Sequence, residues 1–132
     1  MIQVIDNPIL LYQILDLAKE IPDTPIDVLE NMLLKGIGSP DARIVVDKKD
    51  EHLRGFMFGS IERFQGEDVV FVQSCYVSPK APNTFHDLVA NMNAWAKDRF
   101  IKSIICMTQR PEAFARKYKF KILTHVVKRE VV

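Results

Sequence analysis

Cysteine is scarce in this chain, with two in 132 residues. Cys75 and Cys106 both stand in apolar segments. They read as reduced core residues of a cytoplasmic protein, not as a disulfide or a nucleophile. No apolar run approaches the roughly 20 residues a membrane span requires, so no membrane partner is expected. The opening MIQVIDNP lacks a basic n-region, which argues against a secretory signal. HExxH, CxxC, GxSxG and the phosphate-cradling GxxxxGK followed by Ser or Thr are all missing. His52, His86 and His125 share no ligand spacing, so no metal site is expected. Repeats, linkers and low-complexity segments are absent too.

What is present is an ordinary domain composition, 48% hydrophobic and 27% charged. It predicts one soluble domain over residues 1–132 with a real core. The net charge of +1 is unevenly spread. Residues 1–66 hold 7 Lys/Arg against 11 Asp/Glu, and residues 67–132 hold 11 against 6. Arg110, Arg116, Lys117, Lys119 and Lys121 crowd one segment. That field could serve an anionic ligand, or it could be a solvated face.

The central stretch runs from Val69 to Phe100. VVFVQSCYVSP is an apolar run closed by proline, which suits a buried strand over 69–77. Phe85, Leu88, Val89, Met92, Trp95, Ala96 and Phe100 then recur at helical spacing and predict a helix over 84–100. SIICM at 103–107 predicts a second strand. Strand, helix, strand in so short a length is a parallel crossover, with a crevice where the first strand meets the helix. Thr84 and Asp87 read as a capping box. Free amides at such a helix start also suit a phosphate, although Asp87 would compete for the same field.

Around this unit, Ile9 to Ile21 reads as a helix whose buried face is Leu10, Ile14, Leu17, Ala18 and Ile21, closed by Pro22. Thr24 as N-cap with Pro25 at the first helical position opens a second helix, buried through Ile26, Leu29, Met32 and Leu33 and ended by Gly36 and Gly38. Ala42 to Lys48 and Arg54 to Phe64 read as strands. Gly55 and Gly59 predict a bulge or a close backbone approach in the second of them. Gln65-Gly66-Glu67-Asp68 is a turn. A short helix from Arg110 to Tyr118 and a strand from Lys121 to Glu130 complete the order. The class is α/β, with a mixed, mostly antiparallel sheet and helices on both faces.

That order, together with CYVSP before a helix, resembles the GNAT (GCN5-related N-acetyltransferase) superfamily over about Arg54 to Val127. Cys75, Val77 and Pro79 fall on the family's L-x-V-x-P strand. AFARKYKF at 113–120 is similar to its A-x-x-Y-x-x-x-G-F ending. The resemblance implies a parallel strand pair that splays apart, and acetyl-coenzyme A bound between its ends. It implies contacts from Tyr76, Val77, Lys80, Asn83, Thr84, Phe85 and His86, with Lys80 or Arg116 near the terminal phosphate. The acceptor would be an amine of unknown identity.

The chain also departs from the family. Pro82 to His86 replace its glycine-rich phosphate loop. Gln73 stands where a glutamate base is frequent, and glutamine cannot act as a base. Ala115 stands at the usual tyrosine acid. Gln73 and Tyr118 remain as catalytic candidates, with Glu51, Glu62 and Glu67 as distant carboxylates. Two functions follow: a coenzyme A-dependent N-acyltransferase, or a GNAT-fold module that has lost catalysis and binds a protein or nucleic acid. A homodimer is compatible with either.

Overall fold

The computed structural model describes residues 1–21 and 25–106. Five strands form one sheet in the order β1-β2-β3-β4-β5: Ile2–Ile5, Ala42–Lys49, His52–Phe64, Glu67–Val77 and Ile104–Cys106. The first four are mutually antiparallel. β4 and β5 run parallel, with Val70, Phe71 and Val72 opposite Ile104, Ile105 and Cys106. A 3-10 turn at Pro8–Leu10 leads into α1 (Leu11–Ala18), followed by α2 (Ile26–Gly36) and α3 (Thr84–Asp98). This is the mixed, mostly antiparallel architecture that the sequence predicts. The splay expected beyond the parallel pair falls on residues outside the described set. So do Pro22, Thr24, the 110–118 helix and the 121–130 strand.

The sheet separates two cores. On one face, α1 and α2 bring Leu11, Ile14, Ala18, Leu29 and Leu33 against Ile44, Val46, Phe56 and Phe58. Of β4, only Tyr76 joins this cluster. On the other face, α3 packs Phe85, Leu88, Met92, Trp95 and Ala96 against Val45, Met57, Val70 and Val72. Alternation along each strand supplies both faces at once.

Four local expectations are corrected. The extended start is a true edge strand, β1, paired with β2 from Ile2↔Asp47 to Ile5↔Ile44. The first helix is shorter than predicted, because a 3-10 turn occupies its first residues and Lys19 to Ile21 lie beyond its end. Pro25 stands at the cap position of α2 rather than inside the first turn, with extended φ −75 and ψ 100. Phe100 does not join the buried face of α3; it is 92% exposed. Its left-handed φ of 59 closes the helix. Ile101 N donates to Ala96 O at 2.8 Å and Phe100 N to Lys97 O at 3.1 Å, a Schellman ending built on a phenylalanine.

Both predicted irregularities of β3 are present. Arg54 is an extra residue where Asp47↔Gly55 steps to Lys48↔Leu53. Across the other edge, Phe58↔Ser74 steps to Gly59↔Val72, so Gln73 is an extra residue in β4. A bulge shifts the alternation by one. That is why Val70 and Val72, and then Cys75 and Val77, all serve the α3 face.

Candidate functional site

The crevice begins where β4 ends. Val77 pairs with Gly55, and Ser78 N donates to Arg54 O at 2.8 Å, which holds β4 to β3 up to its last residue. The chain then turns tightly. Lys80 N donates to Ser78 Oγ at 3.3 Å, Ala81 N to Ser78 O at 3.0 Å and Thr84 N to Ala81 O at 3.1 Å. α3 rises directly from this turn, at the carboxyl end of the strand that is parallel to β5.

The capping box expected at Thr84 is not formed. Asn83 is the cap residue, with no side-chain hydrogen bond, and Thr84 is the first helical residue. The Thr84 hydroxyl instead donates to Asp47 Oδ2 at 2.7 Å. Asp47 is almost fully buried. It also accepts from the Met1 amino group at 2.9 Å and Arg54 Nη2 at 3.0 Å. Burial opposes its charge. The bonds from Thr84, the Met1 amine and Arg54 outweigh that cost and hold its carboxyl at about 2. The bulge at Arg54 aims the guanidinium at this carboxylate. Gly55 lets the strands and helix approach, since a Cβ there would lie 2.8 Å from the Thr84 methyl and 2.9 Å from Tyr76 O.

The seven residues proposed as cofactor contacts are thereby divided. Lys80, Asn83 and His86 are exposed around the turn, and Tyr76 and Val77 are half-buried at the end of β4. Thr84 and Phe85 are buried, and Phe85 packs in the α3 core. The side chains of these two thus belong to the interior, and the Thr84 N–H is already engaged with Ala81 O. The Tyr76 hydroxyl donates to Glu20 Oε2 at 2.6 Å, and this bond raises its pKa.

Gln73, at the bulge, donates from Nε2 to Ser60 Oγ at 2.9 Å, and Ser60 Oγ donates to Glu62 Oε1 at 3.0 Å. Ser60 pairs with Ala42, which packs against the α1/α2 core, so this polar chain lies on that face. Sequence reasoning found Gln73 and Glu62 separately but missed their link, which needs the bulge to bring them together. Glu51 and Glu67 are exposed. Tyr118, Ala115 and Arg116 lie outside the described residues. Cys75 is no nucleophile: burial, with Cys106 nearby, pushes its thiol up to about 12.

At the opposite end of the sheet, Asp41, Ile61, Glu62, Arg63, Asp68, Arg99 and Ile101 line an open groove of about 370 Å³. Its arginines are engaged, Arg99 with Asp41 at 2.6 Å and Arg63 with Asp68 at 3.1 Å. Among the described residues, no helix is long and apolar enough to cross a membrane.

Comparison with solved structures finds the same architecture elsewhere. The aminoglycoside antibiotic 6'-N-acetyltransferase AAC(6')-IG of Acinetobacter haemolyticus superposes with a TM-score of 0.83 at 17% identity, over 100% of this chain and 98% of that one. The fold is that of the GNAT acyltransferases. AAC(6')-Ih of Acinetobacter baumannii gives a TM-score of 0.79 at 18% identity, over 100% and 99% of the two chains. AAC(6')-Iy, solved with the bisubstrate analogue CoA-S-monomethyl-acetylneamine, gives 0.79 at 16% identity, again over 100% and 99%. No protein-family profile matches the chain, and no curated protein does. Within this GNAT fold, the crevice of the present chain is built differently from what its sequence resemblance implies. A buried ionic cluster under α3, and not a capping box, fixes the start of the helix.

Proposed function

We propose that this protein is a coenzyme A-dependent N-acyltransferase that carries an acetyl group to an amine. One observation supports this most: β4 runs beside parallel β5 and turns directly into α3, in a fold matched over the whole chain by an enzyme holding a bisubstrate analogue. In this reading the end of β4, at Tyr76 and Val77, meets the pantetheine arm through its main chain. The turn from Lys80 to His86 faces the pyrophosphate, with Lys80 supplying charge. The amine nitrogen attacks the thioester carbon, a C–N bond forms and the C–S bond breaks. The coenzyme A sulfur leaves as thiolate and receives, through water, the proton the amine loses, so it departs as the thiol. The protein's contribution is chiefly to hold donor and acceptor in reacting geometry.

The turn has no glycine, and Asp87 in the first turn of α3 competes for the field there. Binding of acetyl-coenzyme A should therefore be weak, with a Kd of about 0.1–1 mM, or about 4–5.5 kcal/mol. Titration calorimetry at low salt measures it. No heat at millimolar ligand, in folded protein, would instead favour a module that acts by binding a partner.

Catalysis should not hinge on one acid–base pair, since Gln73 cannot take a proton and Ala115 cannot give one. Gln73→Ala and Tyr118→Phe should each change kcat by less than about tenfold, because a true acid or base contributes about 10²–10⁴. A thousandfold loss of kcat in either variant would overturn this account of the site.

A further inference from the structure

Phe100 is out of place on a lone chain. Its side chain is 92% exposed. Its backbone is left-handed, with φ 59, a conformation that bulky residues rarely adopt and that glycine usually fills at a Schellman ending. The ring therefore projects from the end of α3 as a knob. Beside it lies the groove of about 370 Å³, at the end of the sheet away from the start of α3. Arg99 and Ile101, the sequence neighbours of Phe100, both line that groove. Ile61 and Ile101 supply the apolar part of its lining, and both pack against the α3 core. Knob and groove thus share one patch, yet Phe100 does not fill the groove of its own chain. The charges of the patch are complementary as well. Within the groove, Arg99 pairs with Asp41 at 2.6 Å and Arg63 with Asp68 at 3.1 Å. These pairs cancel and leave the negative charge of Glu62, which accepts from Ser60 but has no ion pair among the described residues. Around the knob, Lys97, Asp98 and Lys102 are exposed and also lack ion pairs among the described residues, so one positive charge is left over. An apolar knob with a positive rim stands next to an apolar-lined groove with a negative one. A two-fold contact needs just such a patch, in which each copy supplies the knob for the other copy's groove.

We propose that this patch is the interface of a homodimer. Phe100 of each copy enters the other copy's groove against Ile61 and Ile101, while Lys97 and Lys102 face Glu62 across the two-fold axis. The dimer does not depend on the acyltransferase reading, since the crevice at the start of α3 lies at the far end of the sheet. Its size sets its strength. A buried phenylalanine removes about 150–250 Å², so two knobs and the groove surface they cover reach roughly 600–1,000 Å². Stable interfaces begin at about 1,200 Å². The dimer therefore belongs to the weak, transient class, with a Kd of about 10–100 µM.

Sedimentation equilibrium of the full chain, from about 10 µM to about 1 mM, tests this across the expected Kd. The weight-average mass should climb from 15.2 kDa toward twice that value, and climb less at high salt, where the rim charges are screened. Phe100→Gly removes the knob but suits the left-handed backbone, so the chain should melt no lower than wild type while its Kd for dimerisation rises at least about tenfold. Glu62→Lys should weaken the dimer about three- to tenfold, and Lys97→Glu with Lys102→Glu in the same chain should restore it. A mass that stays at 15.2 kDa at the highest concentration overturns the proposal and leaves the knob to a different protein. A dimer that Phe100→Gly leaves intact overturns it too, because that dimer uses another face. A second readout needs no variant. In a mixture of 13C-labelled and unlabelled chains, the Phe100 ring should give intermolecular NOEs to the methyls of Ile61 and Ile101, and a dimer without them refutes this contact.

Discussion

Asp47 is the residue on which the start of α3 depends, and its chemistry makes the dependence measurable. It is buried, yet it is charged, because three donors converge on it. Its folded pKa of about 2 lies below the ordinary aspartate value of 3.8. The carboxylate therefore adds stability above pH 4, and that stability is lost as pH falls through about 2. The shift corresponds to about 2 kcal/mol at neutral pH. Asp47→Asn keeps an acceptor for Thr84 but loses both ionic partners. It should cost about 2 kcal/mol at pH 7 and flatten the acid side of the stability curve between pH 4 and 2. Chemical denaturation at stepped pH reads both. An unchanged acid limb would place the titrating group elsewhere. Cys75 gives a simpler test at this scale. With its thiol near 12, it should react with iodoacetamide at pH 8 far more slowly than glutathione does.

At the scale of elements, glycine placement carried more information than the apolar pattern did. Gly55 and Gly59 in the sequence pointed to irregularity, and the two bulges lie at these positions, each presenting a polar side chain, Arg54 and Gln73. Helix α3 was legible because seven apolar residues keep its spacing, and six residues of α3 are buried. What was not legible depends on partners far along the chain. Thr84 looks like a cap from its neighbours alone. Its hydroxyl is claimed by Asp47, 37 residues earlier. β1 has four residues, and its pairing is visible only from β2. Phe100 has the spacing of a core residue, yet it is the left-handed residue of the Schellman ending, two positions past the last residue of α3. The link between Gln73 and Glu62 is a consequence of register, which no local pattern encodes. Gly55→Ala tests the element-level account. Its Cβ would press on the Tyr76 carbonyl and the Thr84 methyl, so β4 and α3 must both move. The substitution should cost about 1–3 kcal/mol, as overpacking does. Thermal melting measures this, and a neutral result would mean that the start of α3 yields more easily than the contacts indicate.

At the scale of the molecule, the sheet is shared by two cores that have no residue in common among those described. Val45 and Met57 belong to the α3 side, while Ile44, Val46, Phe56 and Phe58, their neighbours on the same two strands, belong to the α1/α2 side. Neither layer can be removed without exposing alternate residues of β2 and β3. Strand alternation thus couples the two cores, although among the described residues no side chain belongs to both. Trp95, the sole tryptophan, sits in the α3 core, with Arg43 and Arg99 over its ring at 5.5 Å and 6.0 Å. Its fluorescence reports that layer alone, whereas far-UV circular dichroism reports all the helices and strands. If the sheet couples the layers as this alternation requires, the two signals should trace one urea transition with a common midpoint. An earlier fluorescence transition would mean that α3 detaches while β2, β3 and the α1/α2 core persist. The crevice at the start of α3 would then belong to a layer able to open by itself. Acetyl-coenzyme A, if it binds at that start, should in that case raise the fluorescence midpoint more than the dichroism midpoint, whereas in a coupled fold it raises both equally.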